Sequence, residues 1–91
     1  VYALRVKGTS MIDALIDDGD VVIVQPTGSV QDGDMVVAWL QLEKEVTLKR
    51  LYREEGLIRL QPANSAMEPI YVDPENVEVQ GKVVAVFRSA T

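Results

Sequence analysis

The chain contains no histidine and no cysteine, so a Ser-His-Asp triad, a Cys-His dyad and a typical zinc centre are all ruled out. Hydrolytic chemistry would have to come from serine, threonine, lysine, tyrosine or carboxylates. The candidate nucleophile is Ser10, in Val6-Lys7-Gly8-Thr9-Ser10-Met11-Ile12, where an apolar strand breaks at a glycine. With no imidazole to help, the group that makes a serine nucleophilic is a lysine held as a neutral amine. An exposed lysine, with a pKa of about 10.4, is protonated at neutral pH, whereas burial lowers that value by several units. Of the four lysines, Lys7, Lys44, Lys49 and Lys82, the one in Val46-Thr47-Leu48-Lys49-Arg50-Leu51 has the most apolar neighbourhood. A blander reading competes on residue types alone: Ser10 as a helix cap and Lys49 as a strand lysine reaching for water.

The elements that would position these two residues are mostly strands. Residues 1–7 are rich in strand formers and begin with no capping or turn signal, which reads as the abrupt start of a fragment. Gly8 permits a bend. Apolar residues at 11, 12, 15 and 16 then have helical spacing over about two turns, with Thr9 or Ser10 as N-cap. An acidic turn at 17–20 leads to the strand 21–24, and a loop through 25–34 leads to a strand from Met35 to Leu42. Glu43-Lys44 reads as a short connection into a second hairpin arm, Glu45 to Arg53. Period-two alternation puts Glu45, Thr47, Lys49 and Leu51 on one face of that arm. Shorter strands follow at 57–61 and 70–72, and a long strand over 77–88 is interrupted by a bulge or bend at Gly81. The predicted class is mainly β, with twisted, partly barrel-like sheets and one short helical turn after the serine.

Ninety-one residues make a single domain, 1–91. No apolar run reaches the roughly 18 residues of a membrane span, and no secretion signal opens the chain, so a cytoplasmic location without membrane contact is expected. The net charge of -5, with nine scattered basic residues, argues against this segment gripping a phosphate backbone. The aspartates at 17, 18, 20, 32 and 34 lack the spacing of a calcium loop. No metal or cofactor site is predicted. Trp39, Tyr52 and Phe87 read as core or interface anchors.

Six ordered blocks carry a resemblance that a chance Gly-x-Ser would not. They are Val6 to Met11, Asp18 to Val22, Gly33 to Ala38, Glu45 to Arg50, Leu60-Gln61-Pro62-Ala63-Asn64 and Gly81 to Val86. Together they resemble the C-terminal self-cleaving domain of LexA-type repressors, a family shared with phage repressors and UmuD-type mutagenesis proteins. The resemblance implies a Ser-Lys dyad with Ser10 as nucleophile, Lys49 as general base and Thr47 hydrogen-bonded to the lysine. It also implies an oxyanion site from the backbone N–H groups of Thr9 and Ser10. Glu45 would tune the lysine, since a nearby negative charge favours the protonated form.

As partners, the resemblance implies a homodimer, with Val84, Val86 and Arg88 at the contact, and an activated RecA filament that stimulates cleavage. DNA would be bound only through an N-terminal domain outside this chain. In that family the cleaved bond is usually Ala-Gly, a dipeptide this chain does not contain. Alternatives are a UmuD-like protein processed by the same chemistry, or a non-catalytic dimerisation module of the same fold.

Overall fold

A computed structural model describes residues 1–88. Seven strands form one antiparallel sheet: β1 (Tyr2–Arg5), β2 (Val21–Pro26), β3 (Met35–Leu40), β4 (Glu45–Glu54), β5 (Leu57–Gln61), β6 (Ile70–Val72) and β7 (Val77–Phe87). Their spatial order is β1-β2-β7-β3-β4-β5-β6, so the last strand slots between the second and third and joins the two ends of the chain. The sheet stays open, with β1 and β6 at its edges. Mainly β architecture was expected, and the strands occupy nearly the predicted segments.

β7 can serve as the spine because it is bulged twice. Val84 is skipped between the pairs Ile23↔Ala85 and Val24↔Val83. Gln80 is skipped between Val37↔Gly81 and Ala38↔Val79. Each bulge sharpens the local twist and lets an eleven-residue strand follow two differently inclined neighbours. Gly81 is there for closeness: a Cβ at this position would collide with a Val24 methyl and lie 2.8 Å from the Gln25 carbonyl oxygen. The interruption predicted at Gly81 is therefore present, with the extra residue one position earlier.

Two apolar clusters form on this sheet. One gathers Val30, Val36, Ala38, Leu40, Leu51, Ile58 and Leu60. The other gathers Val6, Met11, Ile16, Val22, Val24 and Val37.

Two local expectations are corrected. The hairpin between β3 and β4 pairs Leu40 with Glu45, so its loop is Gln41–Lys44, four residues rather than two, and the strand ends at Leu40 rather than Leu42. Lys44 closes it with φ 55°, its N–H donating to the Leu40 carbonyl at 2.8 Å, and Leu42 at the tip is left exposed. The two-turn helix after Ser10 is instead a single 3-10 turn, Ile12–Ala14. Met11 is its N-cap, without a side-chain cap bond, and Leu15 ends it in the left-handed region at φ 63°. In an α-helix Asp13 N–H would donate to the Thr9 carbonyl; here it donates to the Ala63 carbonyl at 2.6 Å. The 62–66 loop thus takes up the hydrogen bond that would have continued the helix.

Candidate active site

Lys49 comes to the site on a regular strand. It pairs across the ladder with Val36, which is fully buried, and shares its face with Thr47 and the buried Leu51. Only 7% of Lys49 remains exposed, one of two buried ionisable residues among those described. Its Nζ lies 2.6 Å from Thr47 Oγ1 and 3.2 Å from Ser10 Oγ. As an ammonium it donates to both hydroxyls; as a neutral amine it can donate to Thr47 and accept the Ser10 proton. Burial holds the amine below its ordinary pKa, while the exposed carboxylate of Glu45 acts in the opposite sense.

Ser10 arrives on an irregular segment with several separate holds. Val6, just past β1, donates its N–H to the Asp20 carbonyl and accepts from Gly19 N–H, both at 2.8 Å. Gly8 turns the chain with φ 85°, a conformation that suits glycine, and its N–H donates to Asp18 Oδ1 at 2.7 Å. The Thr9 carbonyl accepts from Asn64 Nδ2 at 2.8 Å and from Ile12 N–H at 3.2 Å. Met11, 1% exposed, is driven into the second apolar cluster, and Asp13 Oδ2 accepts from Ser65 N–H at 2.9 Å. Asp18, Asn64 and Asp13 hold the segment around Ser10, and reasoning from residue types missed these contacts. Asn64 stood in one of the six family blocks, but nothing local to it pointed at Thr9, 55 residues away.

Between residues 4–7 and 46–49 runs an open cleft of about 270 Å³, with Ser10 and Lys49 on its wall. Both walls are extended backbone, and β1 is an unpaired edge on one side, which suits an extended peptide. The backbone N–H groups of Thr9 and Ser10 make no hydrogen bond among the described residues.

Other predicted site residues lie elsewhere. Val84 and Val86, 50% and 42% exposed, are on β7 and do not line the cleft. Arg88 forks onto the buried Asp20 carboxylate with two bonds of 2.9 Å and also donates to the Leu15 carbonyl at 3.2 Å. That ion pair holds Asp20 below the ordinary aspartate range, chiefly through the hydrogen bonds from Arg88. No grouping of acidic side chains suited to a metal occurs among the described residues, and no helix among them is long and apolar enough to cross a membrane.

Comparison with known proteins gives this geometry a context. Residues 1–84 match the family model described as Peptidase S24-like. The LexA repressor of Roseiflexus sp. (strain RS-1) is 56% identical over 89 residues, covering 98% of this chain and 41% of that protein. The LexA repressor of Herpetosiphon aurantiacus is likewise 56% identical, over 98% of the chain and 42% of its own length. That of Novosphingobium aromaticivorans is 51% identical over 96% of the chain and 37% of its own length. The chain thus spans about two fifths of the curated relatives it matches, and over that span it belongs to the Peptidase S24-like family.

Proposed function

We propose that this chain is the self-cleaving serine peptidase domain of a LexA-type repressor, working through a Ser10–Lys49 dyad. The observation that carries the reading is a lysine amine, 7% exposed, 3.2 Å from a serine hydroxyl on the wall of a cleft. Neutral Lys49 takes the Ser10 proton as Oγ attacks the carbonyl carbon of an extended peptide lying in the cleft. The tetrahedral oxyanion is met by the backbone N–H groups of Thr9 and Ser10. The Lys49 ammonium returns the proton to the leaving amine, and a water activated by the same amine then hydrolyses the acyl-serine. Thr47 orients the lysine by its 2.6 Å contact, leaving Nζ one direction in which to accept.

The biological setting follows the LexA relatives and the family resemblance. The cleaved loop and a DNA-binding domain lie in the remaining length of the repressor, an activated RecA filament favours the state with the loop in the cleft, and cleavage in the cytoplasm ends repression. The dimer contact runs along the exposed Val84, Val86 and Phe87 of β7. Arg88, committed to Asp20 within the chain, borders that contact. Sedimentation at twice the monomer mass is expected, and a monomer at high concentration would remove this part.

The direct test uses the full-length protein. Self-cleavage is expected to speed up as pH rises from neutral into the alkaline range, as more of the lysine becomes neutral. In Ser10→Ala and Lys49→Ala it should fall to the uncatalysed background. Cleavage surviving either substitution would exclude the dyad.

A further inference from the structure

We infer that Asn64 is a positioning residue for the oxyanion site, acting through the peptide plane between Thr9 and Ser10; the inference rests on the peptidase reading of Ser10. A trans peptide is planar, so its C=O and N–H point in opposite directions. Whatever grips the Thr9 carbonyl therefore aims the Ser10 N–H. Two donors grip it: Ile12 N–H at 3.2 Å and Asn64 Nδ2 at 2.8 Å, the side chain being the shorter.

The amide of Asn64 is itself oriented. Its Oδ1 accepts from Ala66 N–H at 2.9 Å, so the NH2 end must face Thr9. The backbone carbonyl of Asn64 accepts from Met67 N–H at 3.0 Å, which closes the small turn carrying the side chain. This turn is anchored to the nucleophile segment by three further bonds: Asp13 N–H to the Ala63 carbonyl, Ala63 N–H to Met11 Sδ at 3.4 Å, and Ser65 N–H to Asp13 Oδ2. The Ser10 N–H consequently points away from the 62–66 loop, and it makes no hydrogen bond among the described residues.

A short 3-10 turn alone fixes such a plane poorly, since Gly8 sits on one side and Ile12–Ala14 is the whole of the helical segment. Asn64 supplies what a longer helix would have supplied, a second fixed donor to the carbonyl. It never touches the reacting atoms. Its contribution belongs to the oxyanion term of the reaction and leaves the lysine base alone.

The test separates donor from turn. Asn64→Asp keeps an oxygen for Ala66 N–H, so the turn persists, but it removes the N–H donor and sets a carboxylate oxygen against the Thr9 carbonyl. Asn64→Ala removes both. Self-cleavage of the full-length protein would be followed against pH for wild type, both variants and Ser10→Ala. In parallel, the direction of the Ser10 N–H vector would be read by residual dipolar couplings. The alkaline plateau rate is expected to fall about 10- to 100-fold in both variants, somewhat less than the loss of an oxyanion donor outright. The pH midpoint in Asn64→Ala should match wild type, and the Ser10 N–H vector should turn. A plateau kept in Asn64→Asp, a loss explained by a moved midpoint in Asn64→Ala, or an unmoved N–H vector would each overturn the role of Asn64 while leaving the dyad intact. A wild-type protein that fails to self-cleave under all conditions would overturn both readings.

Discussion

The two halves of the site are built by different means. Lys49 stands on a ladder strand, and everything that sets its environment is regular: Val36 across from it, Thr47 and Leu51 on its face. Ser10 stands on a segment with almost no regular structure, held by Asp18, Asn64, Asp13 and the buried Met11. A sheet gives a lysine whose burial is dictated by alternation, and the sheet need not change for that burial to persist. A loop gives a serine whose direction depends on several side-chain bonds from distant parts of the chain. Precision on the lysine side comes from the backbone; on the serine side it comes from side chains.

The largest expected effect probes the serine side. Met11 is 1% exposed and anchors the turn in its cluster, so Met11→Ala should cost about 2–5 kcal/mol of stability. Self-cleavage at temperatures where the protein remains folded should drop as well, because the same side chain fixes the turn after Ser10. Denaturant unfolding and single-turnover cleavage check the two parts. Unchanged cleavage in a destabilised protein would mean that the serine is held without its apolar anchor.

The lysine side should respond in the opposite way. Burying the Lys49 amine disfavours its charged form, so the folded pKa lies below the unfolded one. Between those two values the unfolded chain binds more protons, and stability therefore rises with pH through that window. At neutral pH the lysine is a cost to the fold. Lys49→Met, similar in length and apolar, should abolish cleavage yet stabilise the domain by about 1 kcal/mol, a rise of about 4–8 °C in melting temperature for a domain this size. A lower melting temperature would show that the bonds to Thr47 and Ser10 outweigh the burial of the amine.

The smallest effect concerns Glu45. This exposed carboxylate raises the lysine pKa, so Glu45→Gln should move the midpoint of the pH–rate profile to lower pH. An exposed charge of this kind is worth a few tenths of a kcal/mol, so the neutral-pH rate should rise by at most about twofold at low salt, and less at high salt. A shift in the alkaline direction would contradict the assigned sign.

The same contrast decides what could be read from the sequence. Alternation in β4 is local, and it correctly placed Thr47, Lys49 and Leu51 on one face. Gly81 marked the interruption in β7 because a missing side chain is visible in the sequence even when the strand it must avoid is not. Around Ser10 the apolar spacing at 11, 12, 15 and 16 suggested two helical turns. The structure keeps Met11 and Ile16 buried but reaches that by a single 3-10 turn and a left-handed Leu15. The reason is the bond from Asp13 N–H to the Ala63 carbonyl, which no local spacing encodes. Pairing of Ser10 with Lys49 became legible only through the ordered family blocks. Geometry then set the two atoms 3.2 Å apart.

The most direct test of a neutral lysine base is to titrate Lys49 itself. With lysine side chains labelled, the Nζ or Cε resonance of Lys49 would be followed by NMR in Ser10→Ala, which prevents cleavage during the measurement. The expected result is a midpoint below the ordinary value of a free lysine, moving lower again when Glu45→Gln is added. A Lys49 that titrates at the ordinary lysine value would contradict the dyad at its root, since the amine would then be charged when the serine needs a base.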